Sequence, residues 1–288
     1  MKTLRECIKE SEEKGVAIGH FNISNLEGFH AIYNAAKKLN VPIVIGLSEG
    51  EAGAVGHTEG VALVRAIRER DNYPIFINAD HHGSFEAVKQ AIDAGFDAVI
   101  IDGAKLSFEE NVKITKECVE YAKKVSSETG RGILVEGELG YIGSGSIIRD
   151  TIPEGAGILT KVEDAKKFVE LTDIDLLAPS VGSIHGLIKS GKPHINAELV
   201  AEIRKATGVP LVLHGGSGLR GEDFTNAIKS GISTVHINTE IRIAFVEGLK
   251  KSLLEKPNEV TPYKVTKPAQ DAVEKVVEER LKLFNGIK

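Results

Sequence analysis

Three histidines, His81, His185 and His214, each stand just past a different short apolar run, and Asp80 sits beside the first. Imidazole nitrogen is a good ligand for zinc, and a catalytic zinc takes three protein ligands while keeping one position open for substrate. A single histidine in such a place is more often a hydrogen-bonded loop or core residue, so the set of three is what points to a metal centre. Glu136 and Glu138, in the run VEGELG, are two residues apart and point the same way on an extended chain. Of the two, Glu138 is expected as a fourth or alternative ligand; the competing reading is a structural carboxylate bonded to backbone or arginine. Asp80 and His81 would face opposite ways on extended backbone, but a turn just past the strand would bring both to one mouth, where the carboxylate could act as general acid or base. The motif HGGSG, from His214 to Gly218, places glycines and a hydroxyl directly after an apolar run, and VHINTE, from Val235 to Glu240, accompanies another. Backbone N–H groups at such positions can surround a phosphate, so a phosphorylated substrate is expected.

Residues this far apart in sequence meet only if strands converge their C-terminal ends on one face. Candidate strands are Val16 to Phe21, Ile43 to Leu47, Ile75 to Ala79, Ala98 to Ile101, Ile133 to Val135, Leu176 to Ala178, Leu211 to Leu213 and Thr234 to Ile237. Most are followed by an amphipathic stretch, such as Leu26 to Leu39, Val61 to Arg70, Phe85 to Ala94 or Ala197 to Ala206. Ser107 with Glu110, and Thr160 with Glu163, fit helix-starting capping boxes. Nearly all-apolar strands under helices indicate a parallel sheet. The expected fold is an α/β (β/α)8 TIM barrel; the rival is an open doubly wound sheet, which would gather its ligand at one switch point, whereas polar residues here follow nearly every strand. Long connections at Tyr141 to Leu159 and Gly186 to Ile195 read as lids, with a disordered insertion as the competing reading of the first. Pro257, Pro262 and Pro268 punctuate a connector ahead of a helical stretch from Ala269 to Leu283. A single domain over residues 1–288 is expected, with the barrel at about 14–255 and a C-terminal helical extension at about 256–288.

The 288 residues are 42% hydrophobic and 27% charged, an ordinary soluble balance, and the net charge of −5 gives no basic field to attract nucleic acid or an anionic membrane. Cys7 and Cys118 share no metal-type spacing. The run from Met1 to Lys14 is amphipathic and charged, unlike a signal peptide, and no apolar stretch is long enough to span a bilayer, so a cytoplasmic location is expected.

The ordered runs FNIS, ADHHGSFE, IDGAKLSFEEN, VEGELG, VGSIHG, LVLHGGSG and VHINTE, between about Phe21 and Phe245, resemble the signature of class II, metal-dependent ketose-bisphosphate aldolases. The resemblance implies a zinc-dependent barrel enzyme that reversibly cleaves fructose 1,6-bisphosphate into dihydroxyacetone phosphate and glyceraldehyde 3-phosphate. It implies metal ligation by His81, His185 and His214, acid–base catalysis by Asp80, and phosphate binding by Gly186, Gly215, Ser217 and Thr239. Asn22 and Ser48 correspond to early-strand substrate contacts, and Arg242 of TEIRIAF resembles an arginine that reaches the second phosphate, across a subunit interface in some arrangements. A zinc ion is implied, with other divalent ions chemically acceptable to three imidazoles and room left for a monovalent cation. A homodimer or homotetramer is expected.

Two departures from the family pattern bear on mechanism. The loop after the fifth strand reads GYIGSGSIIRDTIPEGAG and lacks the family's glycine-glycine-any-Glu-Asp acid, leaving Asp150 or Glu154 as the candidates for a second acid–base group. His236 stands where the family usually has a triose-contacting asparagine, and Asn238 where Asp or Ala is common; His236 either donates to substrate or fills space. The doublet His81–His82 resembles tagatose-bisphosphate aldolases, which makes that isomer an alternative substrate. A Schiff-base aldolase would need a buried lysine, for which Lys105 is the nearby candidate, and a non-catalytic metal-binding barrel with an altered lid is a third reading.

Overall fold

The computed structural model describes residues 2–143, 145–189 and 193–288. Its strands are β1 (Ile18–Asn22), β2 (Ile43–Ser48), β3 (Ile75–His82), β4 (Ala98–Ile101), β5 (Leu134–Leu139), β6 (Ile148–Arg149), β7 (Leu176–Pro179), β8 (Leu187–Ile188), β9 (Leu211–Leu213) and β10 (Ile232–Ile237). Eight of them close a parallel barrel in the order β1-β10-β9-β7-β5-β4-β3-β2, while β6 and β8 form a separate two-stranded sheet. The open-sheet alternative is thereby excluded, and the chain folds as a (β/α)8 barrel.

Alternation along each strand divides the core in two. Outward residues such as Phe21, Ile45, Ile77, Val99, Val135, Leu213 and Val235 pack beneath the surrounding helices. Those helices include α2 (Leu26–Leu39), α4 (His57–Asp71), α5 (Phe85–Ala94), α6 (Phe108–Thr129), α7 (Val162–Thr172), α8 (Ala197–Thr207) and α9 (Gly221–Lys229). Inward residues Ile18, Val44, Phe76, Ala98, Leu134, Leu176 and Val212 form a second cluster, closed from below by Leu4, Cys7 and Ile8 of α1 (Leu4–Lys14). Helix α1 is framed by a Thr3–Glu6 capping box and by Gly15, whose φ of 65° lets the amide of Val16 bond back to Ser11. That turn consumes Val16, which is why β1 starts at Ile18 rather than at the expected Val16.

Three further expectations are corrected. Thr160 does not cap α7: its hydroxyl donates to the Leu139 carbonyl at 2.6 Å and accepts from the Ser180 amide at 2.9 Å, tying two strand ends together, and the N-cap is Lys161. The first long connection is not a structureless insertion, since its β6 pairs with β8 of the second; Ser190, Gly191 and Lys192 of that second connection lie outside the described residues. The C-terminal helix α11 starts at Pro262 and runs to Phe284 with Pro268 inside it. Proline there forfeits one backbone bond, but buried Ala269, Val273, Val277, Leu281 and Phe284 anchor the helix at three- and four-residue steps. It packs against α2 and α10 (Thr239–Glu255). Where α10 meets it stands Gly248, at which a Cβ would come within 2.7 Å of the Ala269 Cα. Among the described residues no helix is long and apolar enough to cross a membrane.

Candidate active site

Asp80 and His81 reach the same mouth by a different device from the expected turn. Strand β3 continues through both to His82, and its pairing with β4 shifts register between Ala79 and His82. Within that bulge His81 adopts a left-handed backbone, φ 49°. A non-glycine residue there is conformationally costly and is held by its surroundings. Asp80 keeps the inward direction set by Phe76 and Asn78, and the bulge turns His81 in beside it.

His81, Glu138, His185 and His214 offer ligand atoms that all lie within 4.8 Å of one another. His81 Nε2 faces His214 Nδ1 at 3.0 Å, near the ~3.3 Å edge of a tetrahedron with zinc-length bonds. His185 Nε2 is buried with no hydrogen-bond partner among the described residues, as expected of an atom aimed at a cation. The far nitrogens of two rings meet carboxylates. His81 Nδ1 lies 3.1 Å from Asp102 Oδ2, and His214 Nε2 lies 2.7 Å from Glu136 Oε1. Such partners fix ring orientation and tautomer at metal sites. Glu138 Oε2 also lies 3.1 Å from His81 Nδ1, placing it at the edge of the cluster. The donor set fits a divalent ion that prefers imidazole.

Electrostatics point the same way. Burial is the strongest influence on each of these groups. It opposes the charge on His81, but Asp80, Glu138 and Asp102 outweigh it and raise that imidazole well above its ordinary range. At Asp80 burial pushes upward, and His81, His236 and His20 together hold the carboxyl well below its ordinary range. Burial, reinforced by His81 and His214, pushes His185 well down, leaving the neutral form that ligates metals. The carboxylates thus favour positive charge at His81, while His185 is held neutral.

One cavity is lined by Asn22, Asp80, His81, His185, Gly186, Gly215, Ser217, His236, Asn238 and Thr239, together with Ser146 and Gly216. Gly215 and Gly186 have φ of 65° and 90°, and a Cβ would lie 2.8 Å from Ile184 backbone at the first and 2.3 Å from the Ile147 carbonyl at the second. Only glycine lets these loops close so tightly. Thr239 opens the 17-residue helix α10, and the Glu240 amide bonds Ser217 Oγ at 3.3 Å, joining that helix end to the loop after β9. Loops after the seventh and eighth barrel strands thus lie beside a helix N-terminus, a place where backbone N–H groups can receive an anion.

Other expected residues lie elsewhere. Ser48 caps the short helix α3 (Glu49–Val55) and donates to Glu51 Oε2 at 2.8 Å. Arg242 pairs with buried Glu51, which also accepts from Asn22 at 2.7 Å and Asn238 at 3.3 Å; Arg242 lines a neighbouring cavity with Ile241 and Phe245. Asp150 is exposed and lies 2.9 Å from Lys189, and Glu154 is exposed on the same loop. Neither lines the cavity; among the described residues of this loop, Ser146 does. His82 is buried, its Nδ1 3.3 Å from the Asp80 carbonyl and its ring 6.0 Å from that of His57, away from the cavity. Lys105 is exposed over the Tyr141 ring, not buried at a strand end, which removes the physical basis for a Schiff-base lysine. Sequence reasoning missed Asp102, Glu51 and His20. The Ser48-x-x-Glu51 pattern was a readable capping signal for the second, and Asp102 heads the run after β4.

The family model described as fructose-bisphosphate aldolase class-II matches residues 2–287. A fructose-bisphosphate aldolase of Geobacillus stearothermophilus is 39% identical over 287 residues, 99% of this chain and 96% of that one. One from Staphylococcus aureus strain N315 is 38% identical over 98% and 96%. Among solved structures, the YdjI aldolase of Escherichia coli K12 superposes with a TM-score of 0.82 at 29% identity, covering 98% of this chain and 96% of that one. With strand-end histidines, the β3 bulge and glycine-rich loops all in one barrel mouth, this chain belongs to the class II fructose-bisphosphate aldolase family.

Proposed function

We propose that this protein is a zinc-dependent lyase that cleaves fructose 1,6-bisphosphate reversibly into dihydroxyacetone phosphate and glyceraldehyde 3-phosphate. The observation that carries the reading is the buried Asp80 carboxylate, 3.9 Å from His81 Nε2, in the cavity that the glycine-rich loops also line. His81, His185 and His214, with Glu138 at the edge, would hold the metal. When bound, a divalent ion supplies the electron sink that breaking the bond between the third and fourth carbons requires. Asp80 takes the proton from the fourth-carbon hydroxyl in cleavage and returns it in condensation. The histidines around it outweigh burial and keep it ionised, the form that can accept a proton. Backbone N–H groups around Gly215, Ser217 and Thr239 receive one phosphate and set the distance from it to the metal site. Closure of the β6–β8 loops over the mouth would exclude water. A cytoplasmic homodimer or homotetramer serving hexose breakdown and synthesis accords with the family.

The test is cleavage of fructose 1,6-bisphosphate by the purified protein before and after chelation, with zinc added back. Loss on chelation and recovery with zinc is the expected result. Full activity without metal would overturn the histidine site. Bound metal with no cleavage would favour tagatose 1,6-bisphosphate, another ketose bisphosphate, or a non-catalytic barrel, which a substrate panel separates.

A further inference from the structure

His20 is fully buried inside the barrel at the level of the metal cluster, yet it does not line the cavity. It is the register partner of His236 on the adjacent strand β10. The two rings stack at 3.5 Å with planes 2° apart, and His236 in turn stacks on His214 at 4.3 Å and 21°. The column has been given space: a Cβ at Gly46 would stand 2.2 Å from His20 Cε1, and Asn78 Nδ2 lies 3.2 Å from His20 Nε2. His20, His236 and Asp80 lie close enough to suggest a second cation site. The stacking rules it out, because lone pairs lie in the ring planes and two parallel rings 3.5 Å apart cannot both aim at one ion.

The unpartnered atoms point to a different role. Asp80 Oδ2 accepts from Asn22 at 2.8 Å, whereas Asp80 Oδ1 and His236 Nδ1 are both buried without a hydrogen-bond partner among the described residues. These two atoms are 3.3 Å apart. Buried polar atoms need partners, and contacts of this kind are often loose until substrate binds. We propose that His236, braced by the His20 ring, is a positioning residue for Asp80. The carboxylate is then gripped on both oxygens, by Asn22 on one side and by the Nδ1–H of His236 on the other, and cannot rotate away from the hydroxyl it serves. The inference rests on the aldolase reading above.

The test uses the zinc-loaded enzyme with metal content measured in each preparation. His236→Asn keeps a nitrogen near the Nδ1 position, His236→Leu keeps bulk without a donor, and His20→Ala removes the brace. Two rates are followed: cleavage of fructose 1,6-bisphosphate, and solvent-deuterium exchange into dihydroxyacetone phosphate, which does not involve the fourth-carbon hydroxyl. A misplaced catalytic group costs on the order of 100-fold. His236→Leu is therefore expected to lower kcat by roughly 30- to 100-fold, with KM within about 3-fold and with metal content and exchange unchanged. His236→Asn is expected to recover to within about 5-fold of wild type, and His20→Ala to fall between the two. Undiminished kcat in His236→Leu, equal losses in the Asn and Leu variants, or exchange falling in step with cleavage would each overturn the positioning role. Failure of the wild type itself to cleave the bisphosphate would instead overturn the substrate reading, and this inference with it.

Discussion

The two halves of the barrel interior are built from the same strands and have opposite chemistry. Below, inward residues such as Val44, Phe76, Leu134 and Val212 pack on one another and on the α1 plug, with buried Thr234 beside Ile18 and Val212 as a polar member of that layer. One inward step higher stand His20, Asn78, Glu136, His214 and His236, and above them Asn22, Asp80 and Glu138, all buried. The lower layer gains stability simply by leaving water. The upper layer gains nothing that way and exists because its groups partner one another: Glu136 with His214, Asp102 with His81, Glu51 with Asn22 and Arg242. Among the described residues, partners are lacking at His185 Nε2, which belongs to the histidine cluster, at Asp80 Oδ1 and His236 Nδ1, which face each other, and at His20 Nδ1, Asn78 Oδ1 and His236 Nε2. A barrel of this kind keeps stability and chemistry on separate floors of one core.

That division should show most sharply in a pair of substitutions. Asp80→Asn is expected to lower cleavage by roughly 10²- to 10⁴-fold while leaving the denaturation midpoint near wild type. Phe76→Ala should do the reverse, costing about 3–5 kcal/mol in urea unfolding while the folded enzyme keeps its kcat. A large activity loss in Phe76→Ala, with zinc fully bound, would mean that the floors are coupled.

The pH dependence of stability tests the polar floor by itself. Burial pushes His20 down to about 4, against ~6.5 when unfolded. The native state therefore takes up that proton less readily than the unfolded chain, so its contribution is complete above pH ~6.5 and is lost as the pH falls toward 4, on the order of 3 kcal/mol in total. Urea unfolding of the metal-free chain across this window should give a flatter curve for His20→Asn than for wild type; parallel curves would remove His20 from the account. The smallest effect is expected at the plug. Thr3→Ala removes the cap of α1 and should cost about 1 kcal/mol with no change in kcat.

Much of the frame was legible because it follows from local periodicity. Strands Ala98–Ile101 and Leu211–Leu213 and helices Leu26–Leu39 and Phe85–Ala94 have the boundaries read from their patterns, and Ser107–Glu110 is the capping box expected. The errors fall where tertiary partners override the pattern. Strand β5 continues through Glu136 and Glu138 because both carboxylates meet histidines that only barrel closure supplies. The β3 bulge, left-handed His81 and Pro268 within α11 each run against local preference and are held by packing. His20 gave no signal of its own, since a lone histidine in a strand acquires meaning only from the ring beside it.

By itself the sequence determined that chemistry-bearing residues follow the strands in order, and hence the kind of ligands and the family signature, because residue type and short-range period are local properties. Which of those residues meet was decided by the tertiary structure alone. Closure of the barrel makes His20 and His236 neighbours across 216 positions of chain, and the bulge at His81 sets its imidazole beside the Asp80 carboxylate. Tertiary packing also pairs Arg242 with Glu51, beside Asn22 and Asn238. Distances of this kind depend on register and backbone geometry summed over the whole fold, which no local pattern encodes.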